Sequence, residues 1–185
     1  MILFFGLAGS GKSTQVSLLA ETMNWIHFSM GQYLRSLDDP AIQGQLSRGE
    51  MVDTSITNQA VKQAYDLATE MGKKLLVDGY PRQIDQADFL LDSSNNFKID
   101  AVVVLDVDEA EIRRRLLERG REDDTPEAIA QRFAVFEQET KRVIMQFEKL
   151  GVPVFHIDGN GSVEQTQQNL LEVITKHVTT KENDR

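Results

Sequence analysis

The chain has 185 residues, 41% hydrophobic and 26% charged, with a formal net charge of −9 at pH 7 and no cysteine. That length makes about one domain with a substantial core. The charge argues against nucleic-acid or anionic-membrane partners, and the missing thiols exclude disulfides and thiolate metal sites and fit a reducing, cytoplasmic setting. No apolar run is long enough to span a bilayer, and the short apolar start lacks the basic leader of a signal peptide.

In chain order, Ile2 to Phe5 read as a buried strand. Gly6-Leu7-Ala8-Gly9-Ser10-Gly11-Lys12-Ser13-Thr14 follows at once. Lys12 to Met23 has the apolar spacing of a helix, with Val16, Leu18, Leu19 and Met23 inward. Trp25 to Phe28 is a short strand, Met30 to Leu37 a short helix, and Asp39-Pro40 opens another. Thr54 is the predicted N-cap of a long helix to Met71. Lys74 to Val77 is a third strand, running into Asp78-Gly79-Tyr80-Pro81-Arg82. Ala101 to Leu105 is continuously apolar and β-branched, a strand buried on both faces. Asp108 starts a helix ending near Gly120. Thr125-Pro126 opens a long helix to about Leu150. Val152 to Ile157 is the fifth strand, and Ser162 with Gln165 forms a capping box before the last helix. The polar stretch 179–185 reads as a frayed tail.

Strands alternating with helices predict a three-layer α/β/α sandwich on a five-stranded parallel sheet. Ligands of such sheets sit at the carboxyl ends of the strands, here marked by Gly6, Ser29, Asp78, Asp106 and Asp158. The segment of about 29–56 has short helices and no strand, and reads as an inserted cap on the core.

The segment after the first strand is G-x-x-x-x-G-K-[ST] in the context its mechanism requires, between a strand and a helix. Gly9, Ser10 and Gly11 let the backbone wrap a polyphosphate, and the helix offers it its positive end. Lys12 places a charge at the β/γ-phosphates, with Ser13 and Thr14 following. Ser13 suits Mg²⁺, and Asp78, an acid ending an apolar strand, suits the same ion directly or through water. In an acidic chain, the cations serving such a site must be gathered in one cleft. Bringing two polyphosphates together needs several guanidiniums, whose fork matches phosphate oxygens. Lys12, Arg35, Arg82, Arg119, Arg121 and Arg132 are the candidates. His27, His156 and His177 form no ligand cluster by position.

Asp78-Gly79-Tyr80-Pro81-Arg82 with Gln86 resembles the nucleoside monophosphate kinases, and above all the adenylate kinase family. Ser29-Met30-Gly31-Gln32-Tyr33-Leu34-Arg35 is similar to that family's S-T-G-D-x-L-R segment. Arg115-Leu116-Leu117-Glu118-Arg119-Gly120-Arg121, then Asp123-Asp124 and Arg132, is similar to its R-x-x-x-R-G…R-x-D-D…R run, and Gly159 to Val163 to the loop beside the ATP adenine. The resemblance implies the P-loop fold with sheet order 2-3-1-4-5, a core of 1–28, 57–118 and 125–178, a monophosphate-binding insertion of about 29–56, and a short lid of about 119–124. It implies MgATP as donor and AMP as the foremost acceptor, in a cytoplasmic monomer.

By the same resemblance, Gly9 to Thr14, Arg115, Arg119 and Gly161 bind ATP, with Arg115 stacked on the adenine. Ser29, Met30, Gly31, Arg35, Glu50, Met51, Val52, Gly79, Arg82, Gln86, Arg121 and Arg132 bind the monophosphate. Arg35 and Arg82 hold its phosphate. Glu50 to Val52 line the base pocket through their backbone, and Gln86 reads adenine with one donor and one acceptor. Lys12, Arg82, Arg119, Arg121 and Arg132 act on the transferring group, and Asp123 and Asp124 help to close the lid. Several positions depart from the family: Ala8 for proline, Ser13 for glycine, Met30 for threonine, Gln32 for aspartate, and no proline after Val52. The lid is too short for strands and has no cysteine, so it carries no zinc. Three alternatives stay open at this point: a UMP/CMP-type kinase, a P-loop kinase for a small-metabolite hydroxyl, and a nucleotide-binding regulatory module with weak ATPase activity.

Overall fold

Five strands make one parallel sheet in the order β2-β3-β1-β4-β5: β1 Ile2–Phe5, β2 Ile26–Ser29, β3 Leu75–Asp78, β4 Ala101–Asp106 and β5 Val154–Asp158. The structure is a computed structural model and describes residues 1–179. The tail beyond Thr179, expected to fray, lies outside the described residues. Strand β1 lies between β3, with Leu3 beside Val77, and β4, with Leu3 beside Val102. The order is the one the sequence implied.

Alternation along the strands divides the core in two. Leu3, Phe5, Val77, Val102 and Val104 face one layer, and Ile2, Phe4, Leu76, Val103 and Leu105 the other. The first layer is built by helices α2 Met30–Ser36, α3 Pro40–Ser47, α4 Thr54–Glu70, α5 Ile84–Leu91 and α8 Lys141–Lys149. The second is built by α1 Lys12–Met23 and α9 Val163–Ile174, through Val16, Leu19, Leu170 and Ile174. A smaller cluster of Ile112, Leu116 and Ile129 joins α6 Glu109–Arg119 to α7 Pro126–Val135 over the carboxyl end of the sheet. Each fully buried Leu or Ile in these layers is worth about 1.5–3 kcal/mol.

The elements differ from the sequence reading in a few informative places. Strands β2 and β3 each run one residue further, so Ser29 and Asp78 are paired strand residues rather than the first loop residues. The long helix predicted from Thr125 to Leu150 is interrupted by a π-helical turn, Phe136–Thr140. Asp53, not Thr54, caps α4: its carboxylate accepts from the Ser55 N–H at 2.8 Å, while the Thr54 hydroxyl donates to Asp85 at 2.8 Å. Only half of the expected capping box forms at α9. Ser162 Oγ accepts from the Gln165 N–H at 3.2 Å, but the Gln165 amide turns to Asn169 instead. At α7 Thr125 Oγ1 accepts from the Ala128 N–H at 3.1 Å, with Pro126 at the first helical position, as its sequence predicts.

Candidate active site

The carboxyl ends of β1, β2 and β3 open into a cavity of about 740 Å³. One wall is the loop from Gly6 to Thr14. Gly9 has a φ of 90°, and a Cβ there would stand 2.8 Å from Leu116 Cγ, so the turn and its seat on α6 admit no side chain. Gly11 is the N-cap of α1 and offers no side-chain acceptor, and the first turn holds no acid. The positive end of α1 is therefore left to an anionic ligand. Lys12 Nζ is drawn into the loop, donating to the Gly6 and Leu7 carbonyls at 2.6 and 2.9 Å. Burial lowers its pKa to about 8, with Asp78 opposing and Arg82 and Arg119 assisting. An ammonium that is costly to bury without a partner is poised for a polyphosphate.

Beneath the loop, Ser13 Oγ donates to Asp78 Oδ2, and Ser29 Oγ donates to the same oxygen at 3.4 Å. Asp78 is only 4% exposed. His27 Nε2 lies 4.0 Å from that oxygen and has no hydrogen-bond partner, while Nδ1 meets Ser17 Oγ at 3.0 Å. Burial holds the His27 imidazole below its ordinary pKa against the pull of Asp78. A magnesium ion takes one or two protein oxygens, with phosphate oxygens and water completing its shell. Ser13 and Asp78 suit such a site. Among the described residues no three His, Cys, Asp or Glu groups converge into a protein-only metal cage. His156 pairs with Asp106 at 2.7 Å and His177 packs on Phe155, both away from Asp78.

The other wall is cationic. Arg119 forks onto Asp124, with Nε and Nη2 donating at 2.8 and 2.6 Å. Arg132 donates to Asp124 Oδ1 at 3.0 Å, to Asp123 Oδ2 at 2.5 Å and to the Leu46 carbonyl at 3.3 Å. Arg35 Nη1 lies 3.6 Å from Asp123 Oδ2. Two acids thus hold three arginines drawn from α2, α6 and α7. Burial pulls the Asp124 carboxyl upward, but Arg119 and then Arg132 outweigh it and keep its pKa below the usual value. Arg35 and Arg82 are both pushed down by burial first, Arg35 next by Arg121. The cations of an acidic chain are concentrated here, as its charge required.

Every nucleotide-binding, catalytic and metal residue inferred from the sequence lines this one cavity, as does Asp123 of the two acids assigned to lid closure. Their engagements differ from the simple expectation. The Arg115 guanidinium is braced: Nη1 donates to the Ser10 carbonyl at 3.1 Å, Nη2 to the Gly159 carbonyl at 2.9 Å and Nε to Glu111 at 2.7 Å. This joins the phosphate loop to the loop containing Gly161. Gln86 is 1% exposed, and its amide is already used: Oε1 accepts from the Arg82 N–H at 2.7 Å and Nε2 donates to Thr57 Oγ1 at 3.1 Å. One hydrogen and one lone pair remain for a ligand. The Glu50 carboxylate turns outward to Arg48, leaving the backbone of Glu50, Met51 and Val52 at the cavity. Met30, 3% exposed, lies between the cavity and the core, near Gly31 and Gly79.

Sequence reasoning did not single out Thr57, Glu111, Phe136 or Thr140, which also line the cavity. Each is an isolated residue on a helix, and only its partner in space gives it meaning.

The family model for adenylate kinase matches residues 4–152. The adenylate kinase of Nocardia farcinica is 33% identical over 181 residues, covering 94% of this chain and 98% of that protein. Those of Parasynechococcus marenigrum and Oenococcus oeni are 34% and 33% identical, each covering 94% of this chain and 98% and 97% of their own. Similarity that runs through both walls of the cavity and nearly end to end in each relative settles the matter: this chain belongs to the adenylate kinase family, phosphotransferases whose acceptor is a phosphate group.

Proposed function

We propose that the protein catalyses ATP + AMP ⇌ 2 ADP in the cytoplasm, as a monomer, with MgATP on the Gly9–Thr14 side and AMP on the Arg35–Arg82 side. The observation that carries this reading is the placement of Arg35, Arg82, Arg119 and Arg132 opposite Lys12 across one cavity. An acceptor that is already a phosphate anion needs no general base. Catalysis is then positioning and charge neutralisation.

In this reading Lys12 and the start of α1 hold the β- and γ-phosphates, and Arg115 flanks the adenine of ATP beside Gly161. Ser13 and Asp78 would hold Mg²⁺, Asp78 through water, and the ion would neutralise charge on the β/γ-oxygens. Arg35 and Arg82 grip the AMP phosphate, and Gln86 faces its base with the remaining capacity of its amide. Ser29, Met30, Gly31, Gly79 and the Glu50–Val52 backbone form the rest of that pocket. Arg119, Arg121 and Arg132 neutralise the equatorial oxygens in transfer. We read 29–56 as the monophosphate-binding insertion and 119–124 as the lid. The Arg35–Asp123 approach joins the two, and the Arg132–Leu46 bond ties the insertion to α7; both support water exclusion.

The test is a coupled assay with MgATP and AMP, dAMP, CMP, UMP or GMP in turn. Turnover with AMP above the others is expected, and silence with all five would overturn the proposal. Arg82→Ala should lower AMP phosphorylation by about 10³-fold while leaving ATP affinity within about threefold, as loss of a buried phosphate contact does.

A further inference from the structure

Arg82 is held by more than its side chain. Its backbone N–H donates to Gln86 Oε1 at 2.7 Å, its Nε donates to the Gly79 carbonyl at 3.0 Å, and its own carbonyl accepts from Thr140 Oγ1 at 3.1 Å. These bonds fix the peptide and the base of the guanidinium and engage neither Nη, which is the part that a phosphate would use. Gln86 and Arg82 are neighbours in sequence. Thr140 is not: it comes from the far helix, 5% exposed, at the end of the π turn Phe136–Thr140.

The π turn explains how it gets there. Arg132 and Thr140 are eight residues apart on one continuous helical rod. At about 100° per residue an unbroken α-helix would set them about 80° apart around the axis. A single-turn π bulge absorbs one extra residue and returns the second position to about 20° from the first. Here the Lys141 N–H donates to the Phe136 carbonyl, the i→i−5 bond of that bulge. The rod can therefore face the cavity twice, with Arg132 on the Asp123–Asp124 pair and Thr140 on the Arg82 backbone. A threonine inside a helix commonly spends its hydroxyl on its own preceding turn; this one spends it on the phosphate-binding segment.

We infer that Thr140 is a positioning residue for the acceptor phosphate, and that the π turn at Phe136–Thr140 exists to couple the aim of Arg82 to that of Arg132. This rests on the reading of Arg82 as the arginine that holds the AMP phosphate.

The experiment compares Thr140→Val, Thr140→Ala, Thr140→Ser and Arg82→Lys with the unaltered protein, using calorimetric Kd values for AMP and ATP and steady-state kinetics with each substrate varied. Valine and alanine both lack the donor but differ in volume, and circular dichroism identifies which is folded. The folded donor-less variant should bind AMP about fivefold more weakly, the value of one neutral hydrogen bond. Its KM for AMP should rise in parallel, with ATP affinity within twofold, and Thr140→Ser should restore both AMP constants. Equal loss of AMP and ATP affinity would mean general damage and overturn the inference, as would failure of serine to rescue. Weakened AMP binding in Arg82→Lys beside unchanged binding in the Thr140 variants would overturn the positioning role alone. Unchanged AMP binding in Arg82→Lys would overturn the reading of Arg82, and this inference with it.

Discussion

The two walls of the cavity are built on opposite plans. The phosphate loop is one contiguous stretch, Gly6 to Thr14, whose shape is set by backbone conformation and by the seat of Gly9 against α6. The arginine wall is assembled from α2, the segment after β3, α6 and α7: ion pairs with Asp123 and Asp124 hold Arg35, Arg119 and Arg132, and Gln86, Gly79 and Thr140 hold Arg82. A backbone-built wall is preorganised and has few separable parts. The network of Arg35, Arg119 and Arg132 shares its load, so single changes within it should act by degrees and depend on pH and on one another.

The sharpest break in that contrast is at Lys12. Its ammonium is the one side-chain charge on the loop wall, held by the Gly6 and Leu7 carbonyls, which cannot replace it. Lys12→Ala should lower kcat by about 10²–10³-fold, the usual cost of removing a charge aimed at a developing negative centre. Steady-state rates at saturating substrates check this. A loss of less than tenfold would mean that the amides and the α1 terminus suffice, and that the loop wall shares its load too.

The same division decides what the sequence discloses. The loop wall is legible because its signal is local: an apolar strand, glycines at fixed spacing, and a lysine at a helix start. The sheet order and the arginines are legible through family motifs, since Arg35, Arg82 and Arg132 have no local signature. What stays hidden is choice among competing partners. Asp53 takes the α4 cap from Thr54 because a carboxylate is the stronger acceptor and Thr54 has Asp85 within reach. Gln86 looks like a free base reader, yet it is pinned between Thr57 and the Arg82 peptide. The π turn leaves no mark in the apolar pattern, because a helix on either side reads the same.

A middle-sized effect tests the arginine wall. Asp124 bonds both Arg119 and Arg132, and they hold its pKa below the ordinary carboxylate value. A depressed folded-state pKa contributes stability that is fully present above the unfolded value, about 3.9, and is lost as pH falls through the lower folded value. Asp124→Asn should therefore cost about 2 kcal/mol at neutral pH, in the range of charged hydrogen bonds. The difference from the unaltered protein should begin to shrink below about pH 4, where the unfolded chain takes up a proton that Asp124 in the folded protein still resists. Denaturant unfolding from pH 7 to pH 3 measures it. A gap that stays constant with pH would show that packing, not charge, is what Asp124 supplies.

The smallest effect is at Met30, where the acceptor pocket meets the core. Met30 follows Ser29, the N-cap of α2, and is 3% exposed in the cluster that includes Leu34 and Tyr80. A methionine wall is apolar and has several rotatable bonds, so it can follow bases of different shape. Threonine is shorter and stiff at χ1, and would put a fixed hydroxyl at the same place. Met30→Thr should lower stability by about 1 kcal/mol through lost volume and a buried hydroxyl. It should also raise the ratio of kcat/KM for AMP over CMP by about threefold, because a rigid wall discriminates where a soft one adapts. Rates with AMP, dAMP, CMP and UMP, beside a melting curve, separate the two consequences. A change in stability with no change in the ratio would assign Met30 to the core alone and place the whole of base selection on Gln86 and the Glu50–Val52 backbone. That outcome would extend the backbone-built plan of the loop wall into part of the acceptor pocket, with the Gln86 amide as the side chain that completes it.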